Sequence, residues 1–191
     1  MSFDLVLRNG RLAEADAEPI DIAIRDGRIA ALGRALVCDA PEEDLGGRLV
    51  VPGFVETHVH LDKSCLLGRC ACHEGTLAEA VAAVAQAKRA FTEDDVYARA
   101  EQTLRRSVTQ GTMRMRTHVE ADPRVGLTSV RALTRLKRDY AWAVALQLCI
   151  FPQEGLLDDP GCEEVLVEGL ESGADVIGSA PYMDRDSHGQ I

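Results

Sequence analysis

The stretch VPGFVETHVHLDK, Val51 to Lys63, decides how the rest of the chain is read. Pro52 and Gly53 close one segment, an apolar run from Gly53 to Val59 opens the next, and His58 and His60 stand one residue apart. In a strand, side chains at i and i+2 leave from the same face, so the two imidazoles project side by side. Held that way at a strand end, they can grip one divalent transition metal, zinc and iron both being suited to imidazole. His-x-His alone is a modest signal, and many such pairs are surface accidents. Its position at the end of a buried-looking strand is what favours a ligand pair.

Before this stretch the pattern is that of hairpins. FDLVLRNGRL (Phe3 to Leu12) reads as a strand, an Asn9-Gly10 turn and the start of a second strand. IDIAIRDGRIAALG (Ile20 to Gly33) repeats the device, with Ile20, Ile22 and Ile24 on one face and Asp26-Gly27 at the turn. Arg48 to Val51 is expected to return to the same small sheet. Residues 1–51 therefore form a β-hairpin segment with nothing catalytic in it, and its apolar face needs a covering layer.

After Gly53 the order becomes strand, loop, helix. The polar loop Ser64 to Gly75 holds Cys65, Cys70 and Cys72. Thr76 precedes the alanine-rich helix LAEAVAAVAQAKRA, with Glu79 at capping-box spacing, and Thr92 starts a second helix that Gly111 ends. MRMRTHVEAD alternates as a strand, LTSVRALTRLKRDY is a helix, and WAVALQLCIFP is apolar enough for a strand buried on both faces. CEEVLVEGLESG is a short helix and ADVIGSAP a fourth strand. Strands separated by helices pair in parallel. A complete eight-fold barrel needs about 250 residues, so residues 52–191 have room for about four strands. The expected α/β fold is the first half of a (β/α)8 TIM-type barrel preceded by a small N-terminal β-sheet. A self-contained open sheet is the alternative.

The bulk numbers narrow the class. The 191 residues are 46% hydrophobic, which suits a globular chain. Acidic residues outnumber basic ones by 31 to 21, a net charge of −10, which disfavours nucleic acid and anionic membranes as partners. MSFDLVLRNG carries charge too early for a signal peptide, and no apolar run approaches 18 residues. The expected location is cytoplasmic, with the six cysteines as reduced thiols.

Four motifs in order, LVVPGFVETHVHLDK, GTMRMRTHVEADP, LQLCIFPQEGL and GADVIGSAP, resemble the amidohydrolase superfamily. Within it they resemble the cytosine deaminase branch, which includes hydrolases of aminated triazine rings. The resemblance implies a barrel with one divalent metal, zinc or iron, at its C-terminal face, and a small heterocyclic substrate. It implies that His58 and His60 are metal ligands, that Gln153 binds the carbonyl and nitrogen edge of the ring, and that Leu77 forms an apolar wall beside it. Ala174 to Ala180 lacks the lysine of two-metal members. The family also supplies a third histidine with a glutamate three residues on, a further histidine and an aspartate. No counterpart of these stands in this sequence, so the acid/base residues are absent from it. The implied reaction is hydrolytic deamination of a pyrimidine- or triazine-like ring. One alternative is an inactive truncated or degenerate copy that needs a partner chain, since half a barrel leaves edges open to a second copy. Another is ring opening of a cyclic amide.

Other residues compete for attention. His118, at the end of the second barrel strand, is expected to line the same pocket, against a merely packed histidine, and Glu120 reads as a loop carboxylate. A His-x-Glu zinc site of another deaminase fold needs Cys-x-x-Cys, which this sequence lacks. Cys70-Ala71-Cys72-His73 is too tightly spaced for a zinc knuckle. Asp62 and Lys63 pair with each other or with substrate. Tyr140 and Trp142 read as core or strand-edge packing, and Arg131 to Arg138 as a solvated helix face.

Overall fold

A computed structural model describes residues 2–13, 18–70 and 73–189. The chain divides into two compact units, Met1–Pro52 and Gly53–Ile191.

The first unit is a five-stranded sheet of β1 (Leu5–Leu12), β2 (Ile20–Arg25), β3 (Arg28–Gly33), β4 (Glu42–Asp44) and β5 (Leu49–Val50). The order is β3-β2-β1-β4, and β5 also pairs with β1. Asp26 and Gly27 take positive φ, 53° and 69°, the backbone of a two-residue hairpin turn, as their sequence requires. Asn9-Gly10 does not turn. β1 runs through it, and the register with β2 shifts between Leu7 and Gly10, so the positive φ of Asn9 (55°) makes a bulge. The Asn9 backbone N–H donates to Asp21 and its side chain to Asp44, which holds the strand together across the bulge. Val6, Ile22 and Ala23 are buried, and Arg8 ties Asp21, Glu42 and the Leu36 carbonyl together.

The second unit carries the parallel sheet. β6 (Phe54–Val59), β7 (Thr112–Glu120), β8 (Ala145–Phe151) and β9 (Val176–Ile177) pair in that order, all in parallel. Between them lie α1 (Leu77–Ala87), α2 (Glu93–Thr109), α3 (Thr128–Asp139) and α4 (Cys162–Glu171). Four parallel strands alternating with helices form a partial barrel. Thr76 and Thr92 cap α1 and α2 by accepting the N–H three residues on, at the positions their sequences mark. Met115, Val119, Leu146, Leu148 and Ile150 pack from one sheet face against Val96, Leu104, Leu133 and Leu136 of α2 and α3. The opposite face is polar: Glu56, Arg114 and Arg116 are exposed, and Arg116 donates to Gln147 at 2.7 Å.

Trp142 is not core; it is 83% exposed, because the turn between α3 and β8 carries it outward against the half-buried Tyr140. Of the cysteine-rich loop, Ala71 and Cys72 lie outside the described residues.

Candidate active site

His58 and His60 stand at the C-terminal end of β6, and their Nε2 atoms are 3.3 Å apart. Two nitrogens bound tetrahedrally at about 2.0–2.1 Å from one zinc lie roughly 3.4 Å apart, so the pair has the spacing of two ligands to one ion. Burial, with the nearby Lys63 charge adding to it, pushes the His60 imidazole down to about 4. The ring is therefore neutral near pH 7, the form that offers a lone pair to a metal. The donors fit a divalent ion, although two imidazoles are fewer than the three protein ligands usual in a catalytic zinc site. His118, reached from β7, stacks on His58 with ring centroids 4.0 Å apart, and Phe151 at the end of β8 lies 5.5 Å from the His60 ring. Burial also lowers His118, with the His58 charge adding.

Beside the pair is a cleft of about 220 Å³, small against the usual range of roughly 300–1,000 Å³ for ligand pockets. Its apolar wall is one side of α1, with Leu77, Val81 and Val84; its polar end is Lys63, Glu120, Gln153 and Glu154, with His60 at the margin. The structure thus brings His60, Leu77 and Gln153 to one cleft. His118 backs the histidine pair and is not among the cleft's lining residues.

Gln153 is held at both ends of its amide. Oε1 accepts from Lys63 Nζ at 3.0 Å, and Nε2 donates to the Tyr182 hydroxyl at 3.3 Å. The loop that carries Gln153 is tied down by the buried Asp184, whose carboxylate accepts the N–H groups of Leu156, Leu157 and Asp158. Gly155 takes φ +103° there, and a Cβ would lie 2.3 Å from Asp184 Oδ1.

Under the cleft lies a buried ion network. The Lys88 ammonium, 3% exposed, contacts Glu120, Asp122 (2.6 Å) and Glu154. Carboxylate oxygens of these three lie within 4.8 Å of one another, a grouping able to hold a cation, and the cation among them is Lys88. Burial alone would raise Asp122, but hydrogen bonding and charge from Lys88 hold it below the ordinary carboxylate value. Glu120 is no loop carboxylate: it ends β7, is 3% exposed, and pairs also with Lys63 at 2.7 Å. Lys63 therefore pairs with Glu120 rather than Asp62. Asp62 is buried, accepts the Glu120 N–H at 3.0 Å, and is raised to about 6 by burial. The Arg99 guanidinium donates to the carbonyls of Asp62 and Ser64, 2.8 Å each, and so clamps the turn after His60.

Lys88, Asp184 and Tyr182 were not legible as site residues, since their partners are 26 to 66 positions away. The one local hint was a lysine ending an alanine-rich helix without an acidic residue one turn before it.

With this geometry in view, the sequence pattern of the amidohydrolase family matches residues 42–150, more than half the chain. The chain belongs to the amidohydrolase family. Over 192 aligned residues it is 28% identical to N-isopropylammelide isopropyl amidohydrolase of Pseudomonas sp. (strain ADP), covering 97% of this chain and 47% of that protein. The crystal structure of 5-methylcytosine deaminase from Klebsiella pneumoniae liganded with 5-fluorocytosine superposes with a TM-score of 0.86 at 32% identity, covering 96% of this chain and 45% of that one. A 64-residue segment is 42% identical to allantoinase of Escherichia coli, covering 33% of this chain and 14% of that protein. The chain thus spans about half the length of the first two relatives. In this amidohydrolase chain, no helix among the described residues is long and apolar enough to cross a membrane.

Proposed function

We propose that this chain supplies the metal-binding and ring-reading part of a one-metal amidohydrolase site that removes an amino group hydrolytically from a pyrimidine- or triazine-like ring. The observation that carries the reading is the pair of Nε2 atoms, 3.3 Å apart, next to a cleft holding Gln153. His58 and His60 would hold one divalent ion, zinc or iron. Such an ion supplies the Lewis acidity that makes water nucleophilic near neutral pH. Leu77 and its neighbours on α1 would sit against the ring, and Gln153 would read its polar edge, since an amide both donates and accepts. His118 would position His58 through the stacked ring contact. The likeness to enzymes named for N-isopropylammelide and 5-methylcytosine supports a nitrogen heterocycle as substrate.

Zinc titration followed by calorimetry tests the metal half: near one equivalent should bind, and His58→Ala with His60→Ala should abolish it. Assaying ammonia or amine release by the metal-loaded chain from a panel of amino-pyrimidines and amino-triazines tests the reaction. Ring opening without amine release would favour the second reading, a cyclic amide hydrolase, which the 64-residue likeness to allantoinase supports.

A further inference from the structure

Four charged or amide groups meet at the polar end of the cleft, and their hydrogen bonds can be followed atom by atom. Glu120 gives one oxygen to Lys63 and the other to Lys88. Glu154 gives one to Lys88 and the other to Arg124, at 2.9 Å. Both carboxylates are therefore already engaged with cations. An ammonium has three N–H donors, and Lys63 places two of them, on Glu120 and on Gln153 Oε1. The amide of Gln153 has two N–H donors on Nε2 and places one on Tyr182. Among the described residues that line the cleft, the N–H donors left over at this end are one of Lys63 and one of Gln153. Lys63 also settles which way the Gln153 amide faces, because an ammonium can only donate and so Oε1 must point at it, which turns Nε2 toward the Tyr182 hydroxyl.

We propose that Lys63 is a specificity-determining residue, which with Gln153 forms a donor pair that selects rings presenting hydrogen-bond acceptors, carbonyl oxygens above all, on the edge entering the cleft. The inference deepens the ring-binding reading above and rests on it. An oxo-substituted ring satisfies both donors. A ring edged with amino groups sets donor against donor and leaves a hydrogen of the half-buried Lys63 ammonium unpaired, which is the costlier fault. Lys63 also lies 5.3 Å from the Phe151 ring centroid, a contact that keeps the ammonium at this end of the cleft.

The test compares two triazines of equal size, cyanuric acid with three carbonyl groups and melamine with three amino groups. Binding to the full chain is measured by ligand-observed NMR in the presence of EDTA, so that no metal contributes. Cyanuric acid should bind at least tenfold tighter than melamine. Lys63→Met should weaken cyanuric acid roughly ten- to hundredfold, the loss expected for a hydrogen bond to a charged group, and leave melamine within about twofold. Should Lys63→Met fail to fold by circular dichroism, Gln153→Leu serves, with the same selective loss expected. Equal or tighter binding of melamine, or an equal loss for both rings in either variant, overturns the donor pair while leaving a ring site in place. No binding of either ring overturns the donor pair and the ring-binding reading together.

Discussion

The two halves of the histidine pair differ in surroundings: His60 is half-buried and held neutral, whereas His58 is exposed and braced by the His118 ring. On the proposed metal role, removing His60 and removing the ring that braces His58 should therefore be separable. His60→Ala is expected to abolish zinc binding in a calorimetric titration, while His118→Ala weakens it by about tenfold, the lower end of the range for residues that orient ligands. Lys88 poses a different problem, since its ammonium contacts three carboxylates with almost no access to water. Lys88→Met should cost about 3–5 kcal/mol in urea unfolding, because the buried carboxylates keep their desolvation and lose their partner. Asp122 makes the same network sensitive to acid. Its folded value lies below the ordinary 3.8, so its stabilising contribution is present above about pH 4 and is lost as pH falls through the lower folded value. Below pH 4 the urea midpoint should fall more steeply for the natural chain than for Asp122→Asn.

At the level of elements, the cleft is made by short segments beyond the strand ends, and each is held by a specific device. The loop after β8 hangs on the Asp184 carboxylate and on the positive φ of Gly155. Gly155→Ala combines a strained φ with a clash, and should cost about 1–3 kcal/mol in thermal or urea unfolding; loss of ring binding should exceed the loss of stability, because Gln153 moves with the loop. The start of α2 depends on Thr92, whose hydroxyl accepts the Asp95 N–H at 3.2 Å. Thr92→Ala should lower stability by about 1 kcal/mol in urea unfolding while leaving zinc binding unchanged, since α2 carries no group of the cleft.

Across the whole molecule, two patterns of sequence make two kinds of sheet. Alternating hairpin sequence before Pro52 gives a mostly antiparallel sheet, and strand–helix alternation after it gives four parallel strands with α2, α3 and α4 packed in their core. The other face of the parallel sheet carries the exposed Glu56, Arg114 and Arg116 in place of an apolar layer. The position of His58, His60 and Gln153 at the C-terminal ends of β6 and β8 puts the site where barrel enzymes of this kind place theirs.

Local pattern alone was enough to place the helices, their threonine caps, the Asp26-Gly27 turn and the histidine pair, because each depends on neighbours within four residues. It misjudged Asn9-Gly10, where pairing of β1 with β2, β4 and β5 on both sides of the dipeptide overrides its turn preference. It also misjudged Glu120 and Trp142, whose burial and exposure are decided by what packs beside them. Only the tertiary structure joined Lys63 to Gln153 across 90 positions and Lys88 to Glu120 across 32. Polar contacts of that separation leave no periodic trace, so the sequence by itself determined where the histidine pair and Gln153 stand in the chain, and the fold decided which way the Gln153 amide faces.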